Sequence, residues 1–258
     1  MSEEFLEWLK MVSEGHSPID FYLVFEHFDR FLWGVTVTLQ LTALALVVGA
    51  LLSVPLAVAR TSSRAHINGP VWLFTYCFRG TPLLVQTYLI YYGLGQFEAV
   101  RESFLWKPIL SSAWWCAFIA FTLNTTAYTT EILRGAIAAT PFGEVEAARA
   151  TGMTRWTVLR RIVVPSALRR SLPAYSNEVI FMLHASVVAS TITLQDILGV
   201  GRWLNGRYYV AYEGFITAAI LYMILVFFIA RGFRLWEKHW LAHLRGRVET
   251  LPASDLGR

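Results

Sequence analysis

The chain of 258 residues carries 16% charged side chains against 55% hydrophobic and 15% aromatic ones, whereas a soluble domain averages about 25% charge. This composition, with a mean hydropathy of +0.47, excludes an ordinary soluble enzyme. It equally excludes a disordered chain, which needs low hydrophobicity and high charge. The net charge of +4 and a pI of about 9.2 do not indicate nucleic acid, because the basic residues gather in a few connecting segments rather than in one binding stripe.

Residues 1–30 are polar and acidic, with seven acids against Lys10 and Arg30. No basic segment precedes a short apolar core, so no cleavable signal peptide is expected. Glu3 to Val12 reads as a short amphipathic helix. Five apolar segments follow, each long enough for a hydrocarbon core of roughly 30 Å. They run from about Leu32 to Val58, Pro70 to Leu94, Ser112 to Ala138, Leu172 to Ile192 and Tyr209 to Ala230. The second is interrupted by Arg79-Gly80-Thr81-Pro82. Trp33, Trp106, Trp114, Trp115, Tyr208 and Tyr209 stand at segment ends, as interfacial belts require. The tail from Gly232 to Leu244 reads as an interfacial helix, and 246–258 as disordered.

Arginine placement orients the chain. Segments 59–69, 134–171 and 231–258 hold fifteen of the 22 basic residues, and cytoplasmic loops collect Lys and Arg. The expected fold is therefore an all-α integral membrane protein with five transmembrane helices, N-out and C-in. Residues 1–30 form an external segment, 31–231 the membrane domain and 232–258 a cytoplasmic tail. Cys77 and Cys116 lie in apolar segments and read as free thiols.

The longest connection, 139–165, carries Glu146-Ala147-Ala148-Arg149-Ala150-Thr151-Gly152, then nine residues, then Ile162-Val163-Val164-Pro165. Glu144 to Thr151 is a good helix former with acids early, where the helix dipole favours them. Gly152 can end that helix in left-handed geometry, and Pro165 can open the next. The plain alternative is a solvated amphipathic loop. However, the spacing resembles the EAA motif of ABC importer permeases, with Val164 in place of leucine, and the resemblance makes Glu146, Ala147, Ala148 and Gly152 an ATPase-docking knob. The three lysines precede Met11, Pro108 and His239, so the chain has no Gly-Lys-Ser/Thr phosphate loop. ATP-driven work would have to come from a partner.

Further stretches point the same way. Arg79-Gly80-Thr81-Pro82-Leu83-Leu84-Val85-Gln86 resembles the signature of polar amino acid permeases. Thr122 to Ile132 and Leu172 to His184 resemble the HisM-like branch, which serves histidine, lysine, arginine and ornithine, with relatives for octopine and nopaline. Many amino acid permeases carry Lys-Asp-Thr/Ser where this chain has His184-Ala185-Ser186, and the HisM-like branch reads His there. The resemblance covers roughly residues 30–245. It implies a type I ABC importer (MetI-like) permease fold in the bacterial inner membrane, multi-pass in the lipid bilayer. It further implies a HisQ-like second permease subunit, two ATP-binding subunits and a periplasmic amino acid-binding protein. No cofactor is expected on this chain, with ATP and Mg on the ATPase, and no nucleic acid partner.

Charged groups inside a bilayer are functional candidates by default. Asn124, Tyr128 and Glu131 share one face of the third span, and Asn177, Phe181 and His184 share one face of the fourth, beside Glu178. If the faces meet, they enclose a polar, acidic cavity suited to a cationic amino acid. Glu178 is the leading candidate for the substrate cation, its alternative being a clasp between helices. Asn177, Asn124, Tyr128, Gln86 and His184 complete the candidate set. Glu131 is expected to pair with Arg134, three residues on. Arg79 is expected to be structural, beside a kink at Pro82 and neutralised by a helix terminus or an acid. His239 and His243 lack a third metal ligand, and no serine, histidine and acid arrangement carries nucleophile-motif spacing. A proton-coupled transporter relaying through Glu131, Glu178 and His184 is the competing class, disfavoured by five spans without an inverted repeat. Within the importer class, the alternative substrate is a neutral polar amino acid such as glutamine.

Overall fold

In the computed structural model the described residues are 21–240, and every regular element among them is helical. A short α1 (Tyr22–Glu26) leads into α2 (Phe28–Arg60). After a turn come α3 (Ala65–Gly80) and α4 (Leu83–Tyr88), the latter running on as a π turn to Gly93. A small α5 (Glu98–Arg101) precedes the long α6 (Ala113–Ala138). The basic loop folds as α7 (Phe142–Ala150) and α8 (Arg155–Val158), which continue through a π turn into α9 (Val164–Ala185). A 3-10 stretch (Ser186–Ile192) prolongs α9, and α10 (Ile197–Tyr208) and α11 (Ala211–Trp240) follow.

The core is built on the α2–α6 pair, the most extensive contact in the structure. On α2, Leu41, Ala45, Gly49, Ser53 and Ala57 recur every four residues and all are buried. Such a stripe of small side chains lets two helices approach closely where lipid provides no hydrophobic drive between them. A Cβ at Gly49 would stand only 2.4 Å from Thr125 Cγ2 on α6. The opposite face of α2 keeps Leu44, Val47, Leu51 and Leu52 exposed, as a lipid-facing surface does.

Two helices, α2 and α11, are by themselves long and apolar enough to cross a membrane, with 33 and 30 residues and mean hydropathies of 2.4 and 2.2. A third joins them if Arg155–Ile192 and Ile197–Tyr208, bent by 41°, count as one span. The 26 residues of α6 reach about 39 Å at ~1.5 Å per residue, yet its threonines and Asn124 lower its hydropathy. Those groups are buried against other helices, so α6 is polar for internal reasons.

The interruption of the second apolar segment is real. Thr81 and Pro82 are extended between α3 and α4. The freed carbonyls are taken by side chains: Gln86 Nε2 donates to Phe78 O (2.8 Å) and Thr81 O (3.0 Å), and Thr81 Oγ1 donates to Cys77 O (2.8 Å). A broken helix at membrane depth needs such partners, because no bulk water can replace them.

Between the fourth and fifth apolar segments the chain forms α10, whose Ile197, Gly199, Val200, Gly201 and Leu204 are buried. Thr193 takes left-handed φ of 74°, and Asp196 caps α10 by accepting from Gly199 N at 2.8 Å. Tyr222 donates to the other Asp196 oxygen at 3.2 Å. Gly34 lets α2 approach this junction, and Gly201 and Gly214 let α10 cross α11, since a Cβ at either would lie 2.9 Å from the other's carbonyl oxygen. The expected helix over Gly232 to Leu244 is, as far as Trp240, a continuation of α11. Its last four residues, the tail after them and the Glu3 to Val12 segment lie outside the described residues.

Candidate functional site

The α3–α4 break, the middle of α6 and the second half of α9 enclose a cavity of about 770 Å³, within the roughly 300–1,000 Å³ of small-molecule sites. The two expected helix faces do meet. Asn124 and Tyr128 reach the cavity from α6, Asn177 and Glu178 from α9, and Arg79 from the end of α3. Phe181, Met182 and Ala185 close its apolar end.

Glu178 is 6% exposed. One carboxylate oxygen accepts from Thr125 Oγ1 at 3.0 Å, and the other accepts no hydrogen bond among the described residues. Thr125 was not singled out in the sequence, where it is one of several threonines in a run. The Thr125 bond ties α9 to α6, as the clasp reading expected, and leaves the second oxygen open to another partner.

Glu131 shows the contrast. Arg60 Nε donates to its Oε1 at 3.0 Å, Thr75 Oγ1 to the same oxygen at 3.0 Å, and Arg134 Nε to Oε2 at 2.6 Å. The pair with Arg134 is the expected one. The bond from Arg60, 71 residues away, was not legible in sequence. Glu131 faces a second cavity of about 510 Å³, which shares Arg79, Gly80 and Thr81 with the first.

Two candidates stand outside the cavity wall. Gln86 is buried beneath the break, where it caps carbonyls and accepts from Asn124 Nδ2 at 3.1 Å. The break resets the helical phase, which turns Gln86 back under α3. His184 is exposed on α9 beside the end of the cavity but does not line it. Tyr128 donates to Arg79 O at 3.3 Å and lies under the Arg79 guanidinium, 5.3 Å from its ring centre.

The 139–165 loop forms the expected short helix. Gly152 ends it at φ +80°, and Thr154 caps α8. Glu146, Ala147 and Gly152 are exposed, while Ala148 turns inward against Val158 and Val163. Ala148 therefore holds the knob together, and Glu146 and Ala147 form its outer surface. Arg170, unremarked in the sequence, ties the two stems of this loop. Its Nη1 donates to Ser166 Oγ at 2.8 Å, and its Nη2 to Ala136 O at 3.2 Å and Thr140 Oγ1 at 2.7 Å.

Residues 49–240 match the family described as binding-protein-dependent transport system inner membrane component. The chain is 44% identical over 241 residues to the octopine transport system permease protein OccM of Rhizobium radiobacter, covering 93% of this chain and 98% of that protein. It is 44% identical over 230 residues to the histidine/lysine/arginine/ornithine transport system permease protein HisM of Escherichia coli strain K12, covering 86% and 97%. Among solved structures, an amino acid ABC transporter with histidines superposes with a TM-score of 0.76 at 31% identity, covering 86% of this chain and 100% of that one. The inward-facing MetNI methionine ABC transporter superposes with a TM-score of 0.66 over 83% and 98%. At 18% identity it shares the fold alone.

Proposed function

The chain belongs to the binding-protein-dependent transport system inner membrane component family, and from that premise we propose that it is the permease subunit of an ATP-driven importer for basic amino acids (arginine, lysine, ornithine, histidine) or related opines. It is a transport subunit and not an enzyme, a membrane protein of the HisM-like kind, and permease subunits of ABC importers work with further permease and ATPase subunits. The reading of the substrate rests on Glu178, a buried carboxylate with a free oxygen facing a cavity within the size range of small-molecule sites. Names of the relatives at 44% identity support the same substrate class. Asn177, Asn124 and Tyr128 join Glu178 around the substrate, Gln86 supports the wall from behind, and His184 stands at its margin.

In this proposal five helices span the bacterial inner membrane with the N-terminus outside and the C-terminus inside. Residues 1–30 are periplasmic, 31–231 form the permease domain and 232–258 a cytoplasmic tail. The 139–165 loop docks an ATPase through Glu146, Ala147 and Gly152, with Ala148 as its internal support. A HisQ-like sister permease, two ATP-binding subunits carrying ATP and Mg, and a periplasmic binding protein complete the importer, and this chain itself binds no cofactor. ATP binding closes the ATPase dimer, draws the docking knobs together and tilts the helices from inward-open to outward-open. Reconstitution into proteoliposomes tests the reading. Uptake of labelled arginine should require the ATPase and ATP and should persist with a protonophore at constant ATP. Uphill uptake by the permease without an ATPase refutes it.

A further inference from the structure

Of the two neutralising partners expected for Arg79, the structure supplies the helix terminus, since Arg79 lies in the last turn of α3 where the dipole favours a cation, and it brings no acid within ion-pair distance among the described residues. Its guanidinium rests over the Tyr128 ring, while the same cavity holds the half-satisfied carboxylate of Glu178. The other arginines around this region are spoken for. Arg60 and Arg134 bind Glu131, and Arg170 is tied to the loop stems. A cation and an anion thus reach one cavity from different helices, α3 and α9, without neutralising each other within ion-pair distance.

We propose that Arg79 is the receptor for the substrate's α-carboxylate, with Glu178 taking the substrate's cationic side chain, so that the cavity measures a zwitterionic end and a distant cation together. This rests on the transport reading above and narrows its substrate class to molecules that keep a free carboxylate. A guanidinium presents paired N–H donors in the geometry of a carboxylate, which an ammonium does not. Charge at membrane depth is costly, so an anion arriving at Arg79 adds compensation beyond that of the α3 terminus, which a molecule lacking a carboxylate does not supply. Tyr128 positions the guanidinium through its ring face.

The test uses the assembled permease–ATPase complex without the binding protein, so that only the permease reads the ligand. Labelled arginine is displaced by unlabelled arginine or by agmatine, which is arginine without its carboxylate. The wild-type complex should prefer arginine by at least tenfold. Arg79→Gln should weaken arginine at least tenfold without weakening agmatine, collapsing the preference, and Arg79→Lys should restore part of it. Glu178→Gln should weaken both ligands. Equal loss of arginine and agmatine in Arg79→Gln assigns Arg79 to the helix break and overturns the proposal. So does an unchanged preference. If the wild-type complex binds arginine and agmatine equally, the carboxylate is not read at all. If it binds neither, nor lysine, the transport reading falls first.

Discussion

Gly49→Ala tests the packing that supports the site. The new Cβ would lie 2.4 Å from Thr125 Cγ2, roughly 1 Å inside the shortest ordinary contact of packed carbon atoms. Thr125 is β-branched and stiff at χ1 in a helix, so it cannot swing its methyl away while keeping its hydroxyl on Glu178 Oε1. Overpacking costs about 1–3 kcal/mol. Loss of a hydrogen bond to a charged group costs about 1.5–3 kcal/mol more. The variant should therefore melt earlier than wild type and take up labelled arginine more slowly. Thr125→Ser removes the clashing methyl and keeps the hydroxyl. Alone it should cost about 1 kcal/mol, the order of one buried methyl. Combined with Gly49→Ala, it should recover at least 1 kcal/mol of the glycine variant's loss and restore uptake. The measurement is a double-mutant cycle on apparent stability and transport in the reconstituted complex. Additive losses in the double variant refute the claim that α2 reaches Glu178 through Thr125.

Glu178→Gln keeps the shape and the Thr125 contact but removes the charge, so arginine uptake should fall at least tenfold while yield and melting temperature hold; unchanged kinetics at normal expression remove Glu178 from the site. Arg170→Lys loses the fork that joins Ser166, Ala136 and Thr140, and a lysine cannot span the three. ATP hydrolysis should continue with a lower ratio of substrate imported to ATP consumed, and an unchanged ratio shows that the stems need no clasp. Gly152→Ala places a side chain at φ +80°, a strain of about 1–2 kcal/mol. It should impair ATPase docking, measured by co-purification, with little effect on arginine binding to the permease; normal docking refutes the role of the left-handed turn.

Much of the fold is legible in the sequence because membrane spans are written as apolar runs. The break at Thr81-Pro82 is legible from a proline three residues after a charged Arg79 and two after Gly80. α10 escapes that reading, since Arg202, Asn205 and Arg207 dilute its hydropathy. Its signal is an acid immediately before Ile197-Leu198-Gly199-Val200, the pattern of a capped helix start. The cavity is legible in part, because seven-residue spacing brings Asn124 with Glu131 and Asn177 with His184 onto shared faces. Spacing does not tell how deep a face stays inside the protein. Glu131 drops to the second cavity and His184 passes beyond the end of the first. Gln86 is misread for a different reason: the chain changes direction between α3 and α4, and helical phase does not carry across such a break. Partners distant in sequence, such as Arg60 for Glu131 and Thr125 for Glu178, leave no local trace.

The four-residue stripe on α2 has a thermodynamic consequence. A core that forms by expelling water weakens on cooling, because its driving force is tied to hydration and a large heat capacity change. The α2–α6 seam forms between surfaces whose alternative neighbour is hydrocarbon, so little water is released when they meet. Its cohesion comes from dispersion between closely fitted atoms. Such a seam holds nearly the same strength in cold and in warmth, and it tolerates a change of surrounding lipid better than the insertion of a single methyl group into Gly49.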